Sequence, residues 1–208
     1  MKQESYDIYI GHALTRASDA FKERVTVFKA ELAKRRIHWN ILRFFGLGPS
    51  PKDGAIYTFD ISQVKRAHLV VIICDEESLG AGQESGVALE GEIKVPVLFV
   101  AHRDWERTRM VTGPAEVYPN RVLFRRYKDM SEIEGFIEEA IAYFEAKLGM
   151  SLLDYKYRQL HSLDQVRILN PGFMQEAPIY AGTPDPKKVW DELAEIERKN
   201  PVLAGRLL

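Results

Sequence analysis

Apolar positions along the chain follow two periods, and the alternation between them predicts the fold. Tyr6 to Ile10 (Y-D-I-Y-I) alternates every second residue and is rich in strand formers, which predicts a first strand. The small and polar residues from Gly11 to Ala17 predict a turn, with Ser18 as the N-cap of a helix. Phe21, Val25, Phe28 and Leu32 then recur at helical spacing and make one apolar face. Lys34, Arg35 and Arg36 suit the negative end of that helix dipole. Ile37 to Phe45 predicts a second strand and completes a βαβ unit. The segment Gly46 to Gly54 is punctuated by Pro and Gly and predicts a loop. Ile56 to Ala67 is expected to begin extended and turn helical, with Asp60 near the change.

His68 to Cys74 (H-L-V-V-I-I-C) is almost continuously apolar, the mark of a central strand in a parallel sheet. Ser78 to Ala88 (S-L-G-A-G-Q-E-S-G-V-A) follows as a glycine-bearing turn passing into a helix that ends near Glu90. Val95 to Ala101 predicts another buried strand, and Arg121 to Tyr127 a weaker one. The strongest helix is Ser131 to Leu148. Ser131 and Glu134 fit a capping box, and Ile133, Phe136, Ile137, Ala140, Ile141, Phe144 and Leu148 form its stripe. Gly149 is its expected stop. Asn170 to Pro186 is rich in Pro and Gly and predicts irregular chain. Pro186 to Lys199 predicts a last helix, capped by Asp185 and stopped by Asn200 and Pro201.

Strand and helix in alternation predict a doubly wound, mainly parallel α/β sheet of about five strands, of the Rossmann or flavodoxin-like kind, flanked by helices. Residues 1–149 form the expected α/β domain. Residues 150–208 form an irregular and helical extension, expected to serve as an interface, a lid or a packing appendage.

Composition narrows the function. The chain is 46% hydrophobic and 28% charged, which permits a sizeable core. Its formal net charge of -1 offers no basic excess for a nucleic-acid polymer or an anionic membrane. No apolar run approaches the roughly 20 residues that span a bilayer, and the first residues lack the apolar stretch of a signal peptide. The single cysteine, Cys74, sits in an apolar run and fits a reducing compartment. A cytoplasmic location is expected. His12, His38, His68, His102 and His161 show no metal-ligand spacing with Cys or acids, so no metal site is expected.

The chemistry concentrates around Ser78 to Ala88, because a strand, a turn and a helix in that order is where α/β proteins bind ligands. Glu84 is expected in the first turn of the helix, either as favourable dipole placement or as a reactive carboxylate. Gly80 and Gly82 would let backbone N–H groups approach a ligand, with the Ser78 hydroxyl beside them. The dinucleotide fingerprint is absent, since position 85 is Ser. Asp60 precedes the same central strand and reads as a helix N-cap or as a second acid. Paired carboxylates are what glycosidic chemistry needs. Tyr9, near the end of the first strand, reads as a core aromatic or as a phenol facing the ligand crevice. His12 is a further candidate for ligand contact.

Asp60-Ile-Ser-Gln-Val-Lys-Arg-Ala67, the strand after it, and Ser78-Leu-Gly-Ala-Gly-Gln-Glu84-Ser-Gly-Val-Ala88 resemble the nucleoside 2-deoxyribosyltransferase family. The likeness is nearest to its branch of 2′-deoxynucleoside 5′-monophosphate N-glycosidases, and Tyr9-Ile-Gly-His-Ala-Leu-Thr-Arg16 resembles the family's opening segment. It covers roughly residues 6–148. The resemblance implies a retaining double displacement on a nucleoside or nucleotide. Glu84 would attack C1′, Asp60 would contact the substrate and assist at the leaving base, and Tyr9 would position the glutamate or the sugar. Ser78 would contact the 5′ end of the substrate. Where that branch carries Ser and Arg for the phosphate, this chain has Ala13 and Thr15, with Arg16 adjacent. His68 stands where the family has aspartate, Ser85 replaces an aliphatic residue, and Ile73 stands where another acid is common. No cofactor is implied, because the leaving base takes the electron pair. A homodimer or higher homo-oligomer is implied. The competing expectation is a non-catalytic nucleotide-sensing module.

Overall fold

The computed structural model describes residues 5–14, 16–42, 53–106 and 108–169. In chain order the elements are β1 (Tyr6–His12), α1 (Asp19–Arg35), β2 (Trp39–Leu42), α2 (Asp53–Arg66), β3 (Leu69–Ile73) and α3 (Leu79–Glu90). They continue with β4 (Val97–His102), α4 (Arg109–Val117), β5 (Val122–Tyr127), α5 (Glu132–Leu148) and α6 (Leu152–Leu169). The strands form one five-stranded sheet in the order β2-β1-β3-β4-β5. Every neighbouring pair is parallel. This is the doubly wound α/β architecture that the apolar pattern predicts.

The sheet is buried on both faces, which explains why its central strand reads as an unbroken apolar run. All of β3 is buried. Its alternate residues Leu69, Val71 and Ile73 pack with Ile8 and Ile10 of β1 against the stripes of α1 and α5. Val70 and Ile72 face the other way, with Tyr9, and pack against Val64 of α2 and Ala81 and Ala88 of α3. Chain order reverses at β1, whose neighbours are β2 on one side and β3 on the other. In such sheets the C-terminal ends of the two strands at the reversal open into a crevice where ligands bind.

Several expectations are corrected. β1 runs on to His12, so Gly11 and His12 belong to the strand and not to a turn. α2 already spans Asp53–Arg66, so Ile56 to Asp60 is helical and Asp60 lies inside the helix, not at its cap. The local run I-Y-T-F favours a strand, but burial of Ile61 and Val64 at helical spacing decides the segment. The capping box of α5 is shifted. Ser131 makes no side-chain cap bond. Asp129 Oδ1 instead accepts from the Ser131 N–H at 2.9 Å, while Glu132 Oε1 accepts from the Asp129 N–H at 2.9 Å. Gly149 does end the helix, with φ of 66°. Its left-handed backbone is the conformation glycine adopts without strain. Predicted features at residues 43–52 and 170–208, including the loop from Gly46, the irregular stretch and the last helix, lie outside the described residues. Among the described residues no helix is long and apolar enough to cross a membrane.

Two helices are unexpected. α4 contains Pro114, which lowered the helical signal there. α6 begins the extension, and its cap is a serine–aspartate pair: the Asp154 N–H donates to Ser151 Oγ at 3.0 Å. Leu152 is fully buried in the core shared with α1 and α5. Lys156 reaches the end of α2, where its ammonium donates to the Ala67 carbonyl at 3.0 Å and to the Lys65 carbonyl. Gln159 pairs with the Lys94 backbone, accepting from its N–H at 2.6 Å and donating to its carbonyl at 2.8 Å. Ala67 and Lys94 precede β3 and β4, so α6 closes the N-terminal edge of the sheet, opposite the crevice.

Burial of Leu152 makes α6 part of the core. Leu152→Ala in the full chain should therefore cost ~2–5 kcal/mol in urea denaturation, the range for a leucine truncated in a packed interior. A cost near zero would mean that α6 is not held as described.

Candidate active site

The site forms at the C-terminal end of β1, where α2 and α3 cross the same sheet face. α3 approaches closely because its buried residues include two alanines, Ala81 and Ala88. Glu84 lies between them on that side of the helix. Ser78 starts the helix in an extended conformation, and its hydroxyl accepts from the Ala81 N–H at 3.1 Å. With Leu79 as the first helical residue, Glu84 falls in the second turn, and the first turn holds no acid. The dipole reading of Glu84 is thereby weakened, since the effect fades beyond the first turn.

What the carboxylate meets is Gly11. A Cβ at that position would overlap Glu84 Oε2 and lie 2.9 Å from Ile72 Cδ1 and 3.2 Å from Tyr9 Cε1. Glycine inside a strand marks close approach by another group, and here the group is a carboxylate. Tyr9, two residues before Gly11 on the same face of β1, is fully buried. Its hydroxyl and Glu84 Oε2 are both buried, and neither has a regular hydrogen bond among the described residues. The two nevertheless act on each other: the Tyr9 hydroxyl lowers the proton affinity of Glu84, and Glu84 helps to raise that of Tyr9. Facing polar atoms short of regular hydrogen-bond geometry are common in unliganded catalytic sites.

Asp60, half-buried inside α2, joins the group. Its charge raises the proton affinity of both Glu84 and Tyr9. From the other side of β1 comes Lys29 of α1. Its ammonium donates to the Ile10 carbonyl at 3.3 Å. Ile10 is one residue beyond the register that β1 shares with β2, which ends at Tyr9 and Leu42. Burial lowers the Lys29 pKa to about 7, while Glu84 and Asp60 pull it upward. Burial likewise raises Glu84 to about 7, with Asp60 adding to the rise and Tyr9 and Lys29 opposing it. Desolvation thus outweighs the favourable partners of the carboxylate.

Two loops frame this cluster and are tied together by Glu76. It accepts from the Ser18 N–H at 2.9 Å and from the Ser18 hydroxyl at 2.8 Å. Ser18 also caps α1, accepting from the Phe21 N–H at 3.3 Å. The loop after β1 and the loop after β3 are therefore tied to each other. Asp75, beside Glu76, is turned away from Glu84: it accepts from the His102 N–H at 2.6 Å and from the Tyr127 hydroxyl.

The structure thus brings together Tyr9, Asp60 and Glu84 of the expected residues, with Ser78 at the start of the same helix. Others fall elsewhere. His12 lies with Ile8 and Ile10 on the opposite face of β1, edge-on to Phe21 and bonded to the Ala13 carbonyl at 2.9 Å. Burial lowers its pKa to about 4, so it is neutral near pH 7. Gly80 and Gly82 are exposed. The Gly82 N–H is already engaged by the Ser78 carbonyl at 3.2 Å, so it is not available to a ligand. Arg16 is exposed, and Thr15 lies outside the described residues. Among the described residues no group of three or more His, Cys, Asp or Glu side chains is arranged to hold a metal ion.

Gly11, Lys29 and Glu76 were not singled out from the sequence. A glycine inside an alternating strand and a lysine four residues after Val25, at the margin of an apolar stripe, were the available signals. Glu76 gave none.

No family model and no curated protein sequence matches the chain. Among solved structures, the chain is similar to that of a CMP N-glycosidase from Clostridium botulinum, BcmB, with a TM-score of 0.47 and 14% identity. That similarity covers 64% of this chain and 98% of the other.

The raised proton affinity of Glu84 sets a stability prediction. Because its folded pKa of about 7 exceeds the ordinary value of 4.5, the folded chain holds the extra proton between those limits. Stability therefore falls as pH rises from about 4.5 to about 7, and the loss is complete above that. Glu84→Gln escapes this loss. It should be more stable than the parent by up to ~3 kcal/mol at pH 8, at about 1.4 kcal/mol for each pH unit that separates the folded and unfolded values, and nearly equal at pH 5. Thermal unfolding at the two pH values reads the difference, and equal stability at both would contradict the burial of an ionisable Glu84.

Proposed function

We propose that the chain cleaves the N-glycosidic bond of a nucleoside or its 5′-monophosphate, a 2′-deoxy one by the family resemblance, and passes the sugar to water or to another base. The supporting observation is the buried pairing of Glu84 Oε2 with the Tyr9 hydroxyl beside Asp60 at the strand-order reversal, where neither atom has a regular hydrogen bond among the described residues. A structural carboxylate would be matched by bonding partners, since burying it without them is costly. A buried acid held only by a tyrosine at the ligand-binding end of such a sheet is suited to chemistry on a ligand. The resemblance of residues 60–88 to the deoxyribosyltransferases supports the same assignment.

In this reading Glu84 attacks C1′ as the carboxylate, forming a glycosyl ester. The bond from C1′ to the base nitrogen breaks and its electron pair stays with the base; the two acids share one proton, which in the reacting form sits on Asp60 and passes from it to the base. Water, activated by the now ionised Asp60, then attacks C1′. It returns the proton to Asp60 and restores the Glu84 carboxylate. A second base in place of water gives transfer. Tyr9 holds the carboxylate, and the Ser78 hydroxyl, accepting from Ala81, keeps its own proton to donate toward the 5′ end of the sugar. No step requires a metal or an organic cofactor.

The pKa of about 7 favours a second assignment within the same chemistry. A carboxylic acid kept protonated at neutral pH suits a general acid, so Glu84 would protonate the base and Asp60 would attack.

A panel of ribo- and deoxyribonucleosides and their monophosphates, with and without an acceptor base, tests the proposal by chromatography of free base. Base release is expected from the parent and not from Glu84→Gln. Silence across the panel, with saturable nucleotide binding, would instead establish a sensing module. Gly11→Ala provides a further check. The side chains it meets can yield at their ends, so the fold should survive. Glu84 is displaced, however, and base release should fall at least ~100-fold, the scale of a misplacement of about 1 Å. Full activity in Gly11→Ala would exclude the described seat for Glu84.

A further inference from the structure

We propose that Lys29, anchored on the backbone that seats Glu84, is a positioning residue that favours the ionised, attacking form of Glu84; this rests on the reading of Glu84 as the nucleophile. Three titratable groups act on Glu84, each from a different element: Tyr9 from β1, Asp60 from α2 and Lys29 from α1. Asp60 opposes ionisation, and Tyr9 favours it as a neutral donor. Among the described residues, Lys29 is the cation that acts on Glu84.

The geometry fixes where that charge lies. The Lys29 ammonium is anchored on the Ile10 carbonyl at 3.3 Å. Ile10 joins Tyr9 to Gly11, the two residues that meet Glu84. The cation is thus held on the backbone of the segment that seats the carboxylate. It approaches from the α1 side, so it does not compete with a ligand for the face occupied by Glu84 and Asp60. His12, the neighbouring titratable group on that side, is neutral well above its pKa of about 4 and adds no positive charge. Burial disfavours charge on Lys29 alone and on Glu84 alone, and each offsets the other's cost. Such coupling is reciprocal by thermodynamic necessity.

NMR titration of the Glu84 side-chain carboxyl carbon tests this without relying on activity. In Lys29→Met and Lys29→Gln the Glu84 midpoint should rise by about one pH unit, roughly tenfold in proton affinity, the smaller end of the effect of a nearby opposite charge. Lys29→Gln keeps a donor for Ile10, so a rise in both variants separates charge from anchoring, and Lys29→Arg should restore the parent value. In kinetics the acid limb of the kcat/KM profile should move up by the same amount. An unmoved Glu84 midpoint in either folded variant overturns the proposal. Should both variants fail to fold, Glu84→Gln decides. There the Lys29 side-chain titration should move down by the same amount, and an unmoved Lys29 is equally decisive against coupling. A normal midpoint shift without base release from any substrate would count against Glu84 as nucleophile, while leaving the coupling of the two charges established.

Discussion

The approach of the Glu84 carboxylate to the Cα of Gly11 is the constraint on which the site depends. Only a residue without a side chain leaves room on β1 for that oxygen, because a Cβ would occupy its place. Burial then follows, and with it the rise in Glu84's proton affinity and the reliance of Glu84 Oε2 on the Tyr9 hydroxyl. The small residues Ala81 and Ala88 bring α3 close enough to the sheet for the contact to form. The group is therefore a consequence of packing, and its chemistry is a consequence of desolvation.

The rest of the fold holds this arrangement still. Parallel pairing fixes β1 against β3 from Ile8 and Leu69 to His12 and Ile73, which sets the height of Gly11 relative to the start of α3. Glu76 clamps the two loops above. At the far edge, α6 ties α2 and the approach to β4 together through Lys156 and Gln159. Lys156, buried and with its pKa lowered to about 7, is kept there by the carbonyls it satisfies. The site draws one group each from β1, α1, α2 and α3. None of these is near another in sequence, and the packing of α1, α2 and α3 around the C-terminal end of β1 brings them together.

Much of this was legible in the sequence, for physical reasons that differ by element. The strands were clear because burial on both faces leaves unbroken apolar runs such as Leu69–Ile73. α1 was clear because its stripe and its Ser18 cap agree. Glu84, Asp60 and Tyr9 stood out through motif and resemblance, and the structure brings them together. What was hidden depended on the third dimension. Local sequence puts Asp60 at a boundary because I-Y-T-F has strand character, while tertiary burial makes the whole segment helical. The seat at Gly11 required knowing which helix would cross β1. His12 and Gly82 looked suitable by proximity in sequence. Strand alternation turns His12 to the opposite face, and the helix ladder engages the N–H of Gly82. The raised proton affinity of Glu84 is likewise hidden, since composition does not reveal burial.

The central claim is that Glu84 itself forms the bond to the sugar. Rapid acid quenching during turnover of a cleavable nucleoside or nucleotide, followed by peptide mass spectrometry, tests it most directly. The account predicts a sugar-sized mass increase confined to Glu84, absent in Glu84→Gln. Base release with the adduct on Asp60 would reverse the roles of the two acids. Base release with no adduct on either carboxylate, under conditions that preserve glycosyl esters, would contradict covalent catalysis at this site.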